Sequence, residues 1–327
     1  ARFVDELLEV EGVDFSAQQV TEQALVDAQV LELVTPLPVV IERAPEAWVE
    51  HVLEGFRLSI SALNTFLRCP LSFYYRYILQ VPVLMSEAAA YGNAMHQALQ
   101  RIFLSMQASR PRNFPGEQDS LAYFEQELER RQIYFSADAF PRYLQRGRHS
   151  LRAFYRANYG RWSKRVVVEY TVRTAELDGV PLTGTIDKIE FAAEQRVHLI
   201  DYKTGQARAE KMRRPTARKP LGGDYWRQLV FYKLLYEHFD QTGRIARWGT
   251  IAYLDPDRQG ELLRQEIEFA LEDVASVRAM IQDTYQRIRA HDFYTGCGED
   301  DCHWCNFVRD QRLGLDLYPT DIEELDD

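Results

Sequence analysis

Apolar residues recur at helical spacing through the first half of the chain and at strand spacing through its middle, with the change near residue 165. The stretch SISALNTFLRCPLSFYYRYIL opens with Ser59 or Ser61 as an N-cap and continues with helical apolar spacing. EAAAYGNAMHQALQRIFLSM reads as a second helix, and helices are expected through 117–161 with an interruption near Pro141. The alternation then becomes two-fold in RVVVEYTVRTAE, PLTGTIDKIEFA and RVHLIDYKTG. These are three strands, and the joins at DGVP and AAEQ are short enough for antiparallel hairpins. DYWRQLVFYKLLYEHF is a helix, RWGTIAYLD a further strand, and a long helix is expected over about 270–290. This order predicts a mixed α/β or α+β layer, with helices packed on a small sheet. Residues 1–57 form a lead-in of short acidic and apolar stretches with a Pro-containing segment, LVTPLPVVIERAP, and no visible chemistry. They suit the tail of a preceding domain.

Composition narrows the class. The 327 residues, 46% hydrophobic, suffice for one large domain or two smaller ones. No signal-peptide pattern stands near the start, and no apolar run approaches the ~18 residues of a membrane span. A soluble, intracellular protein is expected, with no membrane partner. The first residue is Ala1 rather than Met, which suggests a processed chain or a piece of a longer one. The net charge of −10 argues against broad, nonspecific coating of nucleic acid. Local charge differs from the average. Six Lys or Arg and one Glu fall between Arg208 and Lys219, and Arg142 to Arg165 is also basic, whereas both chain ends are acidic. A basic patch in an acidic protein suits a confined polyanion site, although a solvated charged face explains either patch equally well. Of the four cysteines, Cys297, Cys302 and Cys305 cluster late and Cys69 stands apart. In an intracellular protein that grouping suggests a metal before a disulfide.

The candidate chemistry sits where the strands end. In RVHLIDYKTG the alternation puts Val197, Leu199, Asp201 and Lys203 on one face, and Ile200 and Tyr202 on the other. Asp201 and Lys203 are therefore neighbours at a sheet edge, either as a surface ion pair or as part of a site. Asp187 shares its face with Ile189 and Phe191, where a carboxylate needs a partner. A hairpin between the two strands brings Asp187 beside Asp201. Two close carboxylates repel unless a proton or cation lies between them. A hard divalent ion such as Mg²⁺ accepts such oxygen ligands. Lys203 would then orient or deprotonate the attacking water, or offset charge on a phosphate. Read alone, His96 on its Ala- and Leu-lined helix is a packed core residue. Gln228 and Tyr232, four residues apart, share a helix face and read as core as well.

Four elements in order resemble the RecB/AddB-type nucleases of the PD-(D/E)xK superfamily, closest to the C-terminal nuclease domain of AddB-like proteins. They are GNAMH (Gly92 to His96), GTID (Gly184 to Asp187), DYKTG (Asp201 to Gly205) and QLVFY (Gln228 to Tyr232). The likeness runs from about 59 to 311, and gives a nuclease domain over 58–311 followed by an acidic tail over 312–327. It implies a restriction-endonuclease-like core with a helical insertion before the sheet. Asp187, Asp201, the Tyr202 carbonyl and His96 would hold Mg²⁺ or Mn²⁺. Lys203 would act on the attacking water, and Gln228 and Tyr232 would position the DNA backbone. Glu169 falls where some relatives carry an acidic residue, although a solvated strand-edge Glu is the plainer reading.

The opening around Cys69 also resembles AddB-type domains, in which a Cys before Pro joins three later ones around a [4Fe–4S] cluster that pins the domain's start to its end. The usual late spacing is C-x2-C-x5-C. Here Cys302 and Cys305 supply C-x2-C, Gln311 stands at the expected last position, and Cys297 lies five residues earlier. An iron–sulfur cluster on Cys69, Cys297, Cys302 and Cys305 is the expectation. Zinc is the alternative, with His303 a substitute ligand.

The implied function is metal-dependent hydrolysis of DNA at broken single-stranded ends, in the bacterial cytoplasm, for recombination repair. No Walker A motif is present, so the motor would be an AddA-like helicase partner. Arg208, Lys211, Arg213 and Arg214 would line the DNA path. Tyr225 and Trp226 are candidates for base stacking, with core packing the other reading of Trp226. The competing function is a catalytically silent DNA-binding or assembly module.

Overall fold

The structure, a computed structural model, describes residues 43–315 apart from 194 and 241, together with 21 and 41, and side chains as far as 309. Most of the Pro-containing lead-in segment and the acidic tail beyond 315 lie outside the described residues. The described elements belong to a compact unit that begins at Arg43.

Helix α1 (Glu46–Glu54) lies within the segment read as a lead-in. Helix α2 (Ile60–Arg68) starts at Ser59, whose hydroxyl accepts from the Ala62 amide at 3.2 Å. It stops at Cys69 because Pro70 disfavours helical backbone in the residue before it. Pro70 then occupies the first position of the short helix α3 (Pro70–Phe73), where its missing N–H costs nothing. A π-helical turn, Tyr74–Ile78, follows. Helices α4 (Glu87–Ala108), α5 (Glu117–Glu129) and α6 (Ala139–Asn158) fill the helical region. The break expected near Pro141 falls earlier, between α5 and α6. Pro141 sits inside the first turn of α6, and a first turn has no intrahelical acceptor for the N–H that proline lacks.

Five strands make a mixed sheet in the order β1-β2-β3-β4-β5. They are β1 (Val166–Leu177), β2 (Val180–Phe191), β3 (Arg196–Lys203), β4 (Ile245–Tyr253) and β5 (Arg264–Glu268). The first two form a hairpin through Asp178 and Gly179, both at positive φ (51° and 80°), as a two-residue turn matched to strand twist requires. β3 joins β2 antiparallel and β4 parallel. A parallel pair needs a long crossover, which contains helix α7 (Asp224–Phe239). β5, at the edge, was not expected from the sequence. Its five residues, RQEIE, carry edge-type charge and almost no apolar signal. Helices α8 (Leu271–Arg289) and α9 (His303–Leu315) complete the described chain.

The sheet is covered on both faces. Ile200, Tyr202 and Ala252 join the core formed with Met95, Leu99 and Phe103 of α4 and Phe154 of α6. On the opposite face Leu229 of α7 packs with Ile251 and Tyr253. Strand β3 is thus buried on both sides, so its carboxylate and ammonium groups are inside the layer rather than on a solvated edge. This is the mixed α/β architecture expected, a small sheet flanked by helices.

Candidate active site

The strand register assembles the acidic groups. Lys188 pairs with Ile200, which sets Asp187 across from Asp201. Val168 and Tyr170 pair with Lys188 and Ile186, which sets Glu169 across from Asp187. Three carboxylates therefore stand in a row over β1, β2 and β3. Asp187 and Asp201 are 8% and 1% exposed. Asp187 Oδ2 accepts from the Tyr202 amide at 2.8 Å. Helix α4 brings in His96, whose Nε2 donates to the Tyr202 carbonyl at 3.0 Å and whose Nδ1 lies 3.4 Å from Asp187 Oδ2. Ligand-type atoms of His96, Glu169 and Asp187 all lie within 4.8 Å of one another.

Asp201 is held from two sides. Gln228 of α7 donates through Nε2 to Asp201 Oδ1 at 2.8 Å and to the Tyr232 hydroxyl at 2.9 Å. The Lys203 ammonium lies 2.7 Å from Asp201 Oδ2. The ammonium is thus the partner of Oδ2, as Gln228 is of Oδ1, and both oxygens of this buried carboxylate face polar groups. Asp187 and Glu169 with His96, and Asp201 across from Asp187, make an oxygen-rich pocket that fits a hard divalent cation. The electrostatics agree. Burial, reinforced by Asp201, pushes the Asp187 carboxyl up to about 7. Burial likewise raises Glu169, with His96 opposing and Asp201 adding. Burial works against charge on Lys203, but Asp201 and Asp187 outweigh it and hold its pKa above the usual lysine value. Lys203 is therefore an ammonium that donates, which favours orientation and charge offset over proton abstraction.

The glycines of the motifs have packing roles. A Cβ at Gly92 would touch Thr204 Oγ1 at 3.4 Å, and one at Gly184 would lie 2.9 Å from Leu235. Asp255, just past β4, accepts from the Gly205 amide (2.6 Å), Ser150 (2.5 Å), Tyr91 (3.0 Å) and Arg146 (2.6 Å). It fixes the turn after Lys203 against α4 and α6, a role that no local pattern announces.

A match to the PD-(D/E)XK nuclease superfamily covers residues 57–309. The chain belongs to that superfamily. Its members are nucleases that use divalent metals, and the mixed sheet flanked by helices is the restriction-endonuclease-like fold. No curated protein matches the chain. Among solved structures it is similar to a candidate exonuclease from Eubacterium rectale, with 12% identity, a TM-score of 0.48, and coverage of 82% of this chain and 94% of that one. It is also similar to the protein SSO0001, with 16% identity, a TM-score of 0.30, and coverage of 81% and 87%. Membership in the superfamily rests on the sequence match, not on these two likenesses.

The basic loop lies between β3 and α7. Lys211 Nζ donates to the Tyr225 hydroxyl at 3.2 Å, and the Lys203 ammonium lies 5.2 Å from the centre of the same ring. Lys211 thus shares the Tyr225 ring with Lys203, whereas Arg208 and Arg213 are exposed. Arg214, also on the surface, is tied down instead. It grips Asp273 at 2.7 and 2.9 Å and donates to the Glu268 carbonyl. Trp226 is fully buried and donates to Asp273, so core packing is its role and base stacking is not. Gly223 sits where the loop returns, and a Cβ there would lie 2.2 Å from the Lys211 carbonyl oxygen. Gly223→Ala must push the loop off α7. An overpacking cost of about 1–3 kcal/mol is expected, read as a lower midpoint in urea. A midpoint equal to wild type would show that the loop moves freely there.

Cys69, Cys297, Cys302 and Cys305 come together at the far end of α2, although Cys69 and Cys305 are 236 residues apart. All four are free thiols and form a potential iron–sulfur or zinc centre. His303 opens α9 outside that group, and Gln311 lies on α9 where side chains are not described. Among the described residues, no helix is long and apolar enough to cross a membrane.

Proposed function

We propose that this chain is a divalent-metal-dependent deoxyribonuclease. In this reading it hydrolyses phosphodiester bonds as an exonuclease on single-stranded ends, beside an AddA-like helicase, during double-strand-break repair. Residues 58–311 are the domain that does so. The observation that carries the hydrolase reading is the convergence of ligand-type atoms of His96, Glu169 and Asp187 within 4.8 Å, with buried Asp201 across from Asp187 and the Tyr202 carbonyl beside His96. These groups would hold Mg²⁺ or Mn²⁺, Glu169 among them as a residue the strand alternation did not place there. The ion, when bound, supplies positive charge to the phosphate oxygens and makes water easier to deprotonate.

The protein's own groups do the rest. Lys203 donates to the attacking water or to a phosphate oxygen, held in place by Asp201. Gln228 fixes the orientation of Asp201 and is itself set by Tyr232. Arg208, Lys211 and Arg213 offer phosphate contacts leading away from the site, and Arg214 holds the loop that carries them. The helicase partner and the strand-end preference rest on the resemblance to AddB-type domains.

The test is end-labelled single-stranded DNA incubated with the protein and Mn²⁺ or Mg²⁺, with chelator controls. Metal-dependent shortening is expected. Tight DNA binding without products at any metal concentration would sink the hydrolase reading in favour of a silent module.

Glu169 has a test of its own. Glu169→Gln keeps the shape and removes a charge, so about tenfold more Mn²⁺ should be needed for half-maximal cleavage. An unchanged metal requirement would return Glu169 to the status of a solvated strand residue.

A further inference from the structure

The cysteine centre is built to a scale that separates its two candidate occupants. Cys69 and Cys305 Sγ are 3.7 Å apart, and Cys297 and Cys305 Sγ 3.8 Å. No two of the four sulfurs are more than 4.8 Å apart. A single tetrahedral ion with metal–sulfur bonds near 2.3 Å holds its sulfurs about 3.8 Å apart. A four-iron cubane places an iron beneath each thiolate, which sets the sulfurs about 6 Å apart. The thiols therefore fit one ion and do not fit the cluster.

The surroundings explain why the thiols are close and hold them there. Helix α3 receives the 295–302 loop through a hydrogen bond from the Leu71 amide to the Thr295 carbonyl at 3.1 Å. Gly296 lets that loop press onto Cys305, since a Cβ there would lie 2.9 Å from Cys305 Sγ and 3.6 Å from Leu71. Gly298, at φ 78°, turns the chain directly after Cys297. Ser72 donates its amide to Cys69 Sγ at 3.4 Å, and its hydroxyl lies 3.5 Å from Cys302 Sγ. Trp304 stacks flat on Tyr75, with ring centres 4.5 Å apart, and locks the first turn of α9 to the π-helical turn. Spreading the sulfurs by about 2 Å, the difference between the two geometries, would lift the loop off α3 and open that stack. The unusual position of Cys297 is part of the same design. It brings in the fourth thiol from a tight turn beside Cys302 and Cys305, rather than from a later turn of α9.

We propose that Cys69, Cys297, Cys302 and Cys305 hold one zinc ion as a closed, four-thiolate structural site, in place of the iron–sulfur cluster that the resemblance implies. The site lacks an open position for water or substrate, so its role is to fasten α2, α3 and α9 together. The proposal does not depend on the nuclease reading.

The test uses the full chain, expressed with iron supplementation and purified without oxygen. Metal content, acid-labile sulfide and visible absorbance are measured together. One zinc per chain, no sulfide and no broad absorbance near 400 nm are expected (the 400 nm region is where iron–sulfur clusters absorb in general). Replacing zinc with Co²⁺ should give the intense visible bands of a tetrahedral cobalt thiolate. Iron with an equal amount of sulfide would overturn the proposal, and so would one iron without sulfide. Cys297→Ser tests the fourth ligand, and should weaken those cobalt bands and lower zinc retention against a chelator at least tenfold. Full retention in that variant would remove Cys297 from the site. Should the variant fail to fold, the wild-type metal and sulfide analysis still decides between one zinc and a cluster.

Discussion

Lys203→Ala should bind single-stranded DNA about as well as wild type and cleave it about 10³-fold more slowly, the usual cost of removing one preorganised charge at a reacting phosphate. The expectation follows from where the ammonium lies. It is 2.7 Å from a buried carboxylate oxygen and leaves the carboxylate row otherwise untouched. Neighbouring carboxylates keep it protonated, so its loss removes a donor rather than a base. Lys203→Arg restores charge but not the reach or hydrogen-bonding geometry of an ammonium, and only partial recovery is expected. Asp201→Asn provides the comparison. It removes a metal-binding charge, so its defect should show first as a metal requirement beyond the working range. Single-turnover cleavage over a metal titration separates the two. A Lys203→Ala rate within threefold of wild type at saturating metal would remove Lys203 from the reaction.

Metal binding should strengthen as pH rises towards 7 and level off beyond it. Burial and the facing Asp201 push Asp187 up to about 7, so below that pH a proton must leave before a cation is held. Displacing one proton makes the affinity rise about tenfold per pH unit in that range. The sign for stability is opposite in the metal-free protein. A carboxyl raised on folding contributes stability that is complete below its ordinary value, and that stability is lost as pH rises through about 7. The metal-free fold should therefore weaken between acid and neutral pH, while Mn²⁺ restores it most where the weakening is greatest. Thermal melts with and without Mn²⁺ should show a small shift near pH 5 and a larger one near pH 8. Asp187→Asn should flatten that difference. An Mn²⁺ shift independent of pH in the wild-type protein would contradict the raised carboxyl.

Strands β1 to β4 and the pairing of Asp187 with Asp201 were legible because period-two alternation and short joins fix a hairpin's faces, and α7 because its apolar spacing is helical. Glu169 was not, for a reason of one residue. Counted from the two-residue turn, where Leu177 pairs with Val180, Glu169 would fall opposite Lys188. A bulge between Val172 and Ala175 shifts the register by one and brings Glu169 opposite Asp187. Glu169 itself takes a positive φ of 49°, rare for a residue other than glycine. No alternation pattern announces either feature. The basic loop was visible as charge, but charge alone did not distinguish Lys211, which shares the Tyr225 ring with Lys203, from Arg214, which pairs with Asp273. His96 was unreadable by itself, because an Ala- and Leu-lined helix face gives the same pattern for a packed histidine as for one aimed at a carbonyl. Asp255 escaped for the opposite reason, since its four partners come from three distant segments.

The cysteine centre has a consequence for the order in which the molecule is made. Cys69 and Cys305 close a ring of 236 residues that contains the entire sheet. On the loop-entropy scale used for crosslinks, holding such a ring shut removes on the order of 5 kcal/mol of disorder from the unfolded chain. That stabilisation comes late. Three of the four thiols lie on the last stretch of the domain to leave the ribosome, so the helices and strands must first associate as an open, unfastened arc. An ion that arrives afterwards clasps an already formed fold, and losing it would reopen the arc from its two ends inward.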